Sequence, residues 1–150
     1  MAEQTLMNYT NIIKEAAAQG ADIVVFPEQT LTNFLTTFEV PIYGALRQHP
    51  VPALRPDLFD EYLVGISAAA RENDIYVVIN GQEHLNCTGA DVNSTVGEYC
   101  PSSGVYRNMF ITNVVFNRAG AVIDRYRKIN VYVFEYANPA LCPDLGEFTT

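Results

Sequence analysis

Glu28 closes the stretch Ala-Asp-Ile-Val-Val-Phe-Pro-Glu at 21–28. A carboxylate held beside such an apolar floor is partly desolvated, which raises its pKa and suits it to proton transfer. Lys128 follows Arg125-Tyr-Arg127 and is one of two lysines in the chain, Lys14 being the other. A lysine shifts its pKa when desolvated, so local sequence alone reads 125–128 as a basic patch. The thiols are Cys87, Cys100 and Cys142. Cys87 and Cys100 share a Gly/Ser/Thr/Asn-rich segment with the glycosylation sequons at Asn86 and Asn93, and a third sequon starts at Asn8. Two cysteines in an exposed polar loop fit a local disulfide in a secreted protein, and the sequons fit the same compartment. Cys142 is then unpaired, or paired with a cysteine outside this sequence.

The elements that must position these groups follow from periodicity. Ile23–Phe26 is an apolar run too short for a helix and without alternation, so it reads as a strand buried on both faces. Pro27 cannot donate to a ladder, which ends pairing there and puts Glu28 at a strand's carboxyl end, where open α/β sheets bind ligands. Before it, Leu6, Tyr9, Ile13 and Ala16 or Ala17 predict an amphipathic helix over 6–19, ended by Gly20. Residues 30–57, with four prolines and scattered aromatics, are irregular; a connection this long is usually functional. His49, among those prolines, reads as a surface residue. A helix is predicted over 56–73, with Pro56 in its first turn and Leu58/Phe59, Tyr62/Leu63, Ile66 and Ala69/Ala70 in its inward stripe. A second buried strand at 75–79 ends at Asn80-Gly81. Residues 110–116 and 121–126 form a hairpin around the turn 117–120. The alternation of strand, helix and strand defines an α/β layered fold.

Composition narrows the function. The chain has 150 residues, 49% of them hydrophobic, which allows one domain with a real core. A net charge of −8 argues against nucleic acid or an anionic membrane as partner. No segment approaches the roughly 18–20 apolar residues of a membrane-spanning helix, and the first residues lack the pattern of a signal peptide. The secretory features therefore imply an amino terminus upstream of Met1.

Phe26-Pro27-Glu28 after a buried strand, with a hairpin running through Gly120 into Asp124-Arg-Tyr-Arg-Lys128, resembles the nitrilase (carbon–nitrogen hydrolase) superfamily. The likeness is greatest to its biotinidase and vanin (pantetheinase) branch. Supporting stretches are 16–28, 73–80, the Cys87/Cys100 loop, 113–120, and 128 through Phe134-Glu135. The resemblance implies a partial αββα sandwich, truncated at both ends, in which residues 1–150 are the amino-terminal part of a single hydrolase domain. It further implies a Glu-Lys-Cys triad, with Glu28 the general base and Lys128 the stabiliser of the oxyanion. Cys87 and Cys100 match the branch's disulfide. Cys142 lacks the strand-and-turn setting of an activated thiol, so the nucleophile is expected beyond Thr150. Glu135 and Glu147 are both candidates for the second glutamate that some members add after the lysine.

The expected function is that of a secreted thiol amidohydrolase cleaving a linear, pantetheine- or biocytin-like secondary amide. It needs no metal or other cofactor, and a lipid anchor could follow in a missing carboxyl-terminal region. One alternative is a catalytically inactive secreted glycoprotein that keeps the sandwich for binding. Another is a cytosolic amidase in which sequons and cysteines are accidental. A strand-end cysteine downstream separates enzyme from inactive protein, and a linked Cys87–Cys100 with glycosylated Asn86 or Asn93 excludes the cytosolic case.

Overall fold

The computed structural model describes residues 2–32, 36–42, 44–87 and 106–128. Helix α1 spans Ala2–Ala18, β1 Ile23–Val25, the single turn α2 Ala45–Gln48, α3 Glu61–Glu72, β2 Tyr76–Cys87, β3 Tyr106–Phe116 and β4 Val122–Arg127. The four strands form one sheet in the order β1-β2-β3-β4. β1 runs parallel to β2 with Ile23 opposite Tyr76, and β2–β3 and β3–β4 are antiparallel. The fold is α/β, as the alternation of elements predicts.

Helices α1 and α3 cover one face of the sheet. Ile13 from α1, Leu63, Ile66 and Ala70 from α3, and Val77, Ile79, Val114 and Phe116 from the strands make a fully buried core. The stripe expected on α3 packs from Tyr62 onward, whereas Leu58 precedes the helix and is 40% exposed. Its start differs: the helix begins at Glu61 rather than at Pro56, because the Asp60 carboxylate caps it by accepting the Tyr62 N–H at 2.9 Å. α1 begins before the predicted Leu6, since Ala2, Glu3 and Gln4 are good helix formers even without an apolar stripe.

On the side away from the helices β1 is open to solvent, and this corrects its reading as a strand buried on both faces. Val24 is half-buried, but Ile23 and Val25 are 52% and 64% exposed. β1 is an edge strand of the described sheet, and its alternate side chains point away from the helices. Phe26 does reach the core, stacked on Tyr9 with ring centroids 3.9 Å apart.

A second correction concerns β2, which continues past Asn80-Gly81 to Cys87 and pairs with β3 throughout. Gly81 does not end the strand; it admits a neighbour. A Cβ there would lie 2.7 Å from the Phe38 ring and 2.9 Å from the Thr32 hydroxyl. Beyond the end of β1, part of the 30–57 connection takes over the free edge of β2. The Phe38 N–H donates to the Gln82 carbonyl at 3.0 Å and the His84 N–H to the Phe38 carbonyl at 2.9 Å. His84 fastens this strap further, its ring nitrogens hydrogen-bonded to Thr37 and Glu39, both at 2.8 Å.

The hairpin is as expected, with Gly120 at φ +77° closing its turn. The turn docks on α3, where the Ser67 hydroxyl donates to the Gly120 carbonyl at 2.6 Å.

Candidate active site

Pairing of β1 fades before Pro27, as a residue without an N–H requires; its last bond is Phe26 N–H to the Val78 carbonyl, 2.9 Å. The chain then turns through Gln29 at φ +56°, with the Thr30 hydroxyl donating back to the Pro27 carbonyl at 2.8 Å. This turn is tied to the middle of the sheet. The Gln29 N–H donates to Asn80 Oδ1 at 2.7 Å, and Asn80 Nδ2 donates to Asn113 Oδ1 at 2.9 Å. Buried Asn80 thus connects the loop carrying Glu28 to both central strands.

Lys128 extends β4 by one residue, its N–H donating to the Ile111 carbonyl at 2.8 Å. Its ammonium reaches the other side of the site: Nζ donates to Glu28 Oε1 at 2.7 Å. A charge-assisted bond of this length fixes both partners more firmly than a neutral one. The two side chains are 49% and 28% exposed, so the Glu28 carboxylate is half in solvent rather than sunk against an apolar floor.

Arg125 and Arg127 do not surround Lys128, contrary to the basic patch read from the local sequence. Successive strand residues alternate faces, so the arginines turn toward the helix-covered side. There they bind Glu83, which is only 1% exposed. Arg127 holds it in two places, Nε to Oε2 at 2.9 Å and Nη2 to Oε1 at 2.6 Å. Arg125 Nη1 donates to Oε1 at 3.1 Å and to the Val40 carbonyl at 3.2 Å, and the Thr112 hydroxyl donates to Oε2 at 2.7 Å. The Arg127 guanidinium also lies over the Phe110 ring, 3.8 Å from its centroid. A buried carboxylate between two arginines is tolerable only with this density of partners. The cluster ties β4 to β2 one residue before Lys128. Sequence reasoning missed Glu83 because it ended the strand at Gly81; the signal was a carboxylate on the inward side of a strand facing two alternate arginines.

The arrangement sets a carboxylate able to accept a proton against a cation able to stabilise a nearby developing anion. Among the remaining candidates, Asn8 is exposed on α1 and accepts from Gln4 at 3.2 Å. The backbone of Asn86 and Cys87 belongs to β2; their side chains, together with Asn93, Cys100, Glu135, Cys142 and Glu147, lie outside the described residues.

The chain matches the family described as carbon-nitrogen hydrolase over residues 1–143. It is 37% identical over 152 residues to Vanin-like protein 2 of Drosophila melanogaster, covering 97% of this chain and 26% of that protein. Biotinidase of Bos taurus is 36% identical over 138 residues, covering 86% of this chain and 24% of the relative. Pantetheinase of the same species is 33% identical over 147 residues, covering 92% and 27%. Among solved structures, an amidase from Nesterenkonia sp. aligns with 88% of this chain and 39% of its own at 19% identity, with a TM-score of 0.49. The chain belongs to the carbon–nitrogen hydrolase family. It spans about a quarter of the length of the curated relatives it matches.

Proposed function

We propose that residues 1–150 are the amino-terminal part of a single hydrolase domain, and that the protein carrying them is a secreted thiol amidohydrolase of linear secondary amides. The observation that carries this reading is the 2.7 Å bond between Lys128 Nζ and Glu28 Oε1. The names of the relatives, biotinidase and pantetheinase, support biocytin- and pantetheine-like amides as the substrate class.

In this reading Glu28 is the general base and takes the proton of a cysteine thiol supplied by sequence beyond Thr150. The thiolate adds to the amide carbonyl carbon, and the carbonyl oxygen becomes an oxyanion beside the Lys128 ammonium. The carbon–nitrogen bond breaks as the amine departs with the proton held by Glu28. Water then gives a proton to Glu28 and attacks the thioester; the acid is released and the thiol re-formed. Lys128 keeps its proton throughout, and no metal or cofactor enters. Secretion, a Cys87–Cys100 disulfide and glycosylation at Asn8, Asn86 and Asn93 belong to the same proposal.

The test is an intact-mass measurement on the gene product that carries this chain, quenched during turnover of pantetheine or of biocytin. An acyl group on a cysteine beyond Thr150 is expected. Turnover of neither amide, or thiol-dependent hydrolysis by the 150 residues alone, contradicts the reading.

A further inference from the structure

Gln82 lies two residues beyond Asn80 on β2, so the two side chains share the face from which Lys128 meets Glu28. It stands opposite Ile111, the residue whose carbonyl accepts the Lys128 N–H. Gln82, Ile111 and Lys128 therefore form one row across three strands. Glu28 follows β1 and Lys128 follows β4, the two outer strands of the sheet. Their ion pair consequently spans β2 and β3, which carry this row.

Gln82 is 8% exposed. Its backbone is fully engaged, the N–H with the Thr32 hydroxyl at 2.7 Å and the carbonyl with the Phe38 N–H at 3.0 Å. Its side-chain oxygen Oε1 is buried and finds no hydrogen-bond partner among the described residues. Buried polar atoms are nearly always paired, so this orphan calls for a partner beyond the described residues. Oε1 is an acceptor only, so that partner must bring an N–H or O–H. The residue after Glu28 has an orphan of opposite sense: Gln29 Nε2, a buried donor without a partner among the described residues. An orphan acceptor and an orphan donor complement the two polar groups of a secondary amide.

We propose that Gln82 is a specificity-determining residue whose side-chain oxygen accepts the N–H of the scissile amide, selecting amides over esters. This rests on the hydrolase reading and deepens it. An ester with the same acyl group has no N–H to offer, so Gln82 contributes to amide turnover and is indifferent to ester turnover.

The experiment compares kcat/KM of the complete gene product on the 4-nitroanilide and 4-nitrophenyl ester of biotin, and on the same pair made from pantothenic acid. Gln82→Met removes the acceptor at similar volume. Its anilide-to-ester ratio is expected to fall about tenfold, the worth of one hydrogen bond, with the ester rate within about twofold of wild type. The ratio does not depend on how much of the variant is folded. Should Gln82→Met not fold, Gln82→Asn, which withdraws the oxygen by one methylene, is expected to lower the ratio in the same way. An unchanged ratio in an active enzyme means that the oxygen is satisfied by water alone, and it overturns this inference while leaving the hydrolase reading intact. Wild-type protein inactive on both anilides overturns both.

Discussion

Lys128 and Glu28, a hundred positions apart, meet at 2.7 Å although they follow the two outer strands of the sheet. Each is held from behind by a different device. The turn carrying Glu28 hangs on Asn80 through the Gln29 N–H. The strand carrying Lys128 is fixed by Glu83 through Arg125 and Arg127. The ion pair is thus the meeting point of two separately anchored segments.

The Glu83 cluster should dominate the stability of β4. Glu83→Ala removes the carboxylate shared by two largely buried guanidinium groups, with side chains 8% and 15% exposed, and the acceptor of Thr112. The expected loss is about 3–5 kcal/mol, read as a shift of the urea midpoint. The exposed pair Arg55–Asp57 is the control, and Asp57→Ala should leave the midpoint unchanged. Equal effects at the two sites would show that burial does not set the worth of the Glu83 pairs.

Gly120 cannot carry a side chain without displacing the hairpin. Its φ is +77°, and a Cβ would stand 2.4 Å from the Ser67 carbonyl oxygen, backbone that cannot swing aside. Gly120→Ala should cost about 2 kcal/mol or more in chemical denaturation. A wild-type midpoint in that variant would mean that the turn is not docked on α3.

Asp60 gives stability a pH dependence of definite sign. Burial holds its carboxyl above the ordinary value of 3.8, opposed by the bond from the Tyr62 N–H and reinforced by Glu61. A raised folded pKa means that this group's contribution is fully present below about pH 3.8, its unfolded value, and is lost as pH rises through the folded value. Asp60→Asn keeps an oxygen for the cap but does not titrate, so its stability should gain on wild type as pH rises across that window. Asp60→Ala lacks the cap at every pH and should lose about 1 kcal/mol. Parallel wild-type and Asn curves in pH-dependent melting would contradict this assignment.

The parts legible in the sequence were those set by local chemistry. Pro27 ended the pairing of β1, the inward stripe of α3 was periodic, and Asn117 with Gly120 specified the hairpin turn. What depended on layers was not legible. Ile23-Val24-Val25 reads the same whether one face or two are covered, and two of its three residues are exposed. Gly81 looked like a strand end because its reason is tertiary, the approach of Phe38 and Thr32. That misreading hid Glu83, and without Glu83 the arginines beside Lys128 looked like a patch. Glu28 and Lys128 themselves were visible as candidates, and the hundred residues between them gave no measure of their distance.

The central claim is that Glu28 and Lys128 act together on one reacting amide. Its most direct test is kcat/KM for a secondary amide in the complete gene product, for wild type, Glu28→Gln, Lys128→Met and the double variant, with thermal midpoints taken alongside. Each single variant should lose about 10²- to 10⁴-fold while its midpoint stays near wild type, and the double should lose little more than either single. A single variant that stays folded and keeps activity within about tenfold of wild type contradicts the claim.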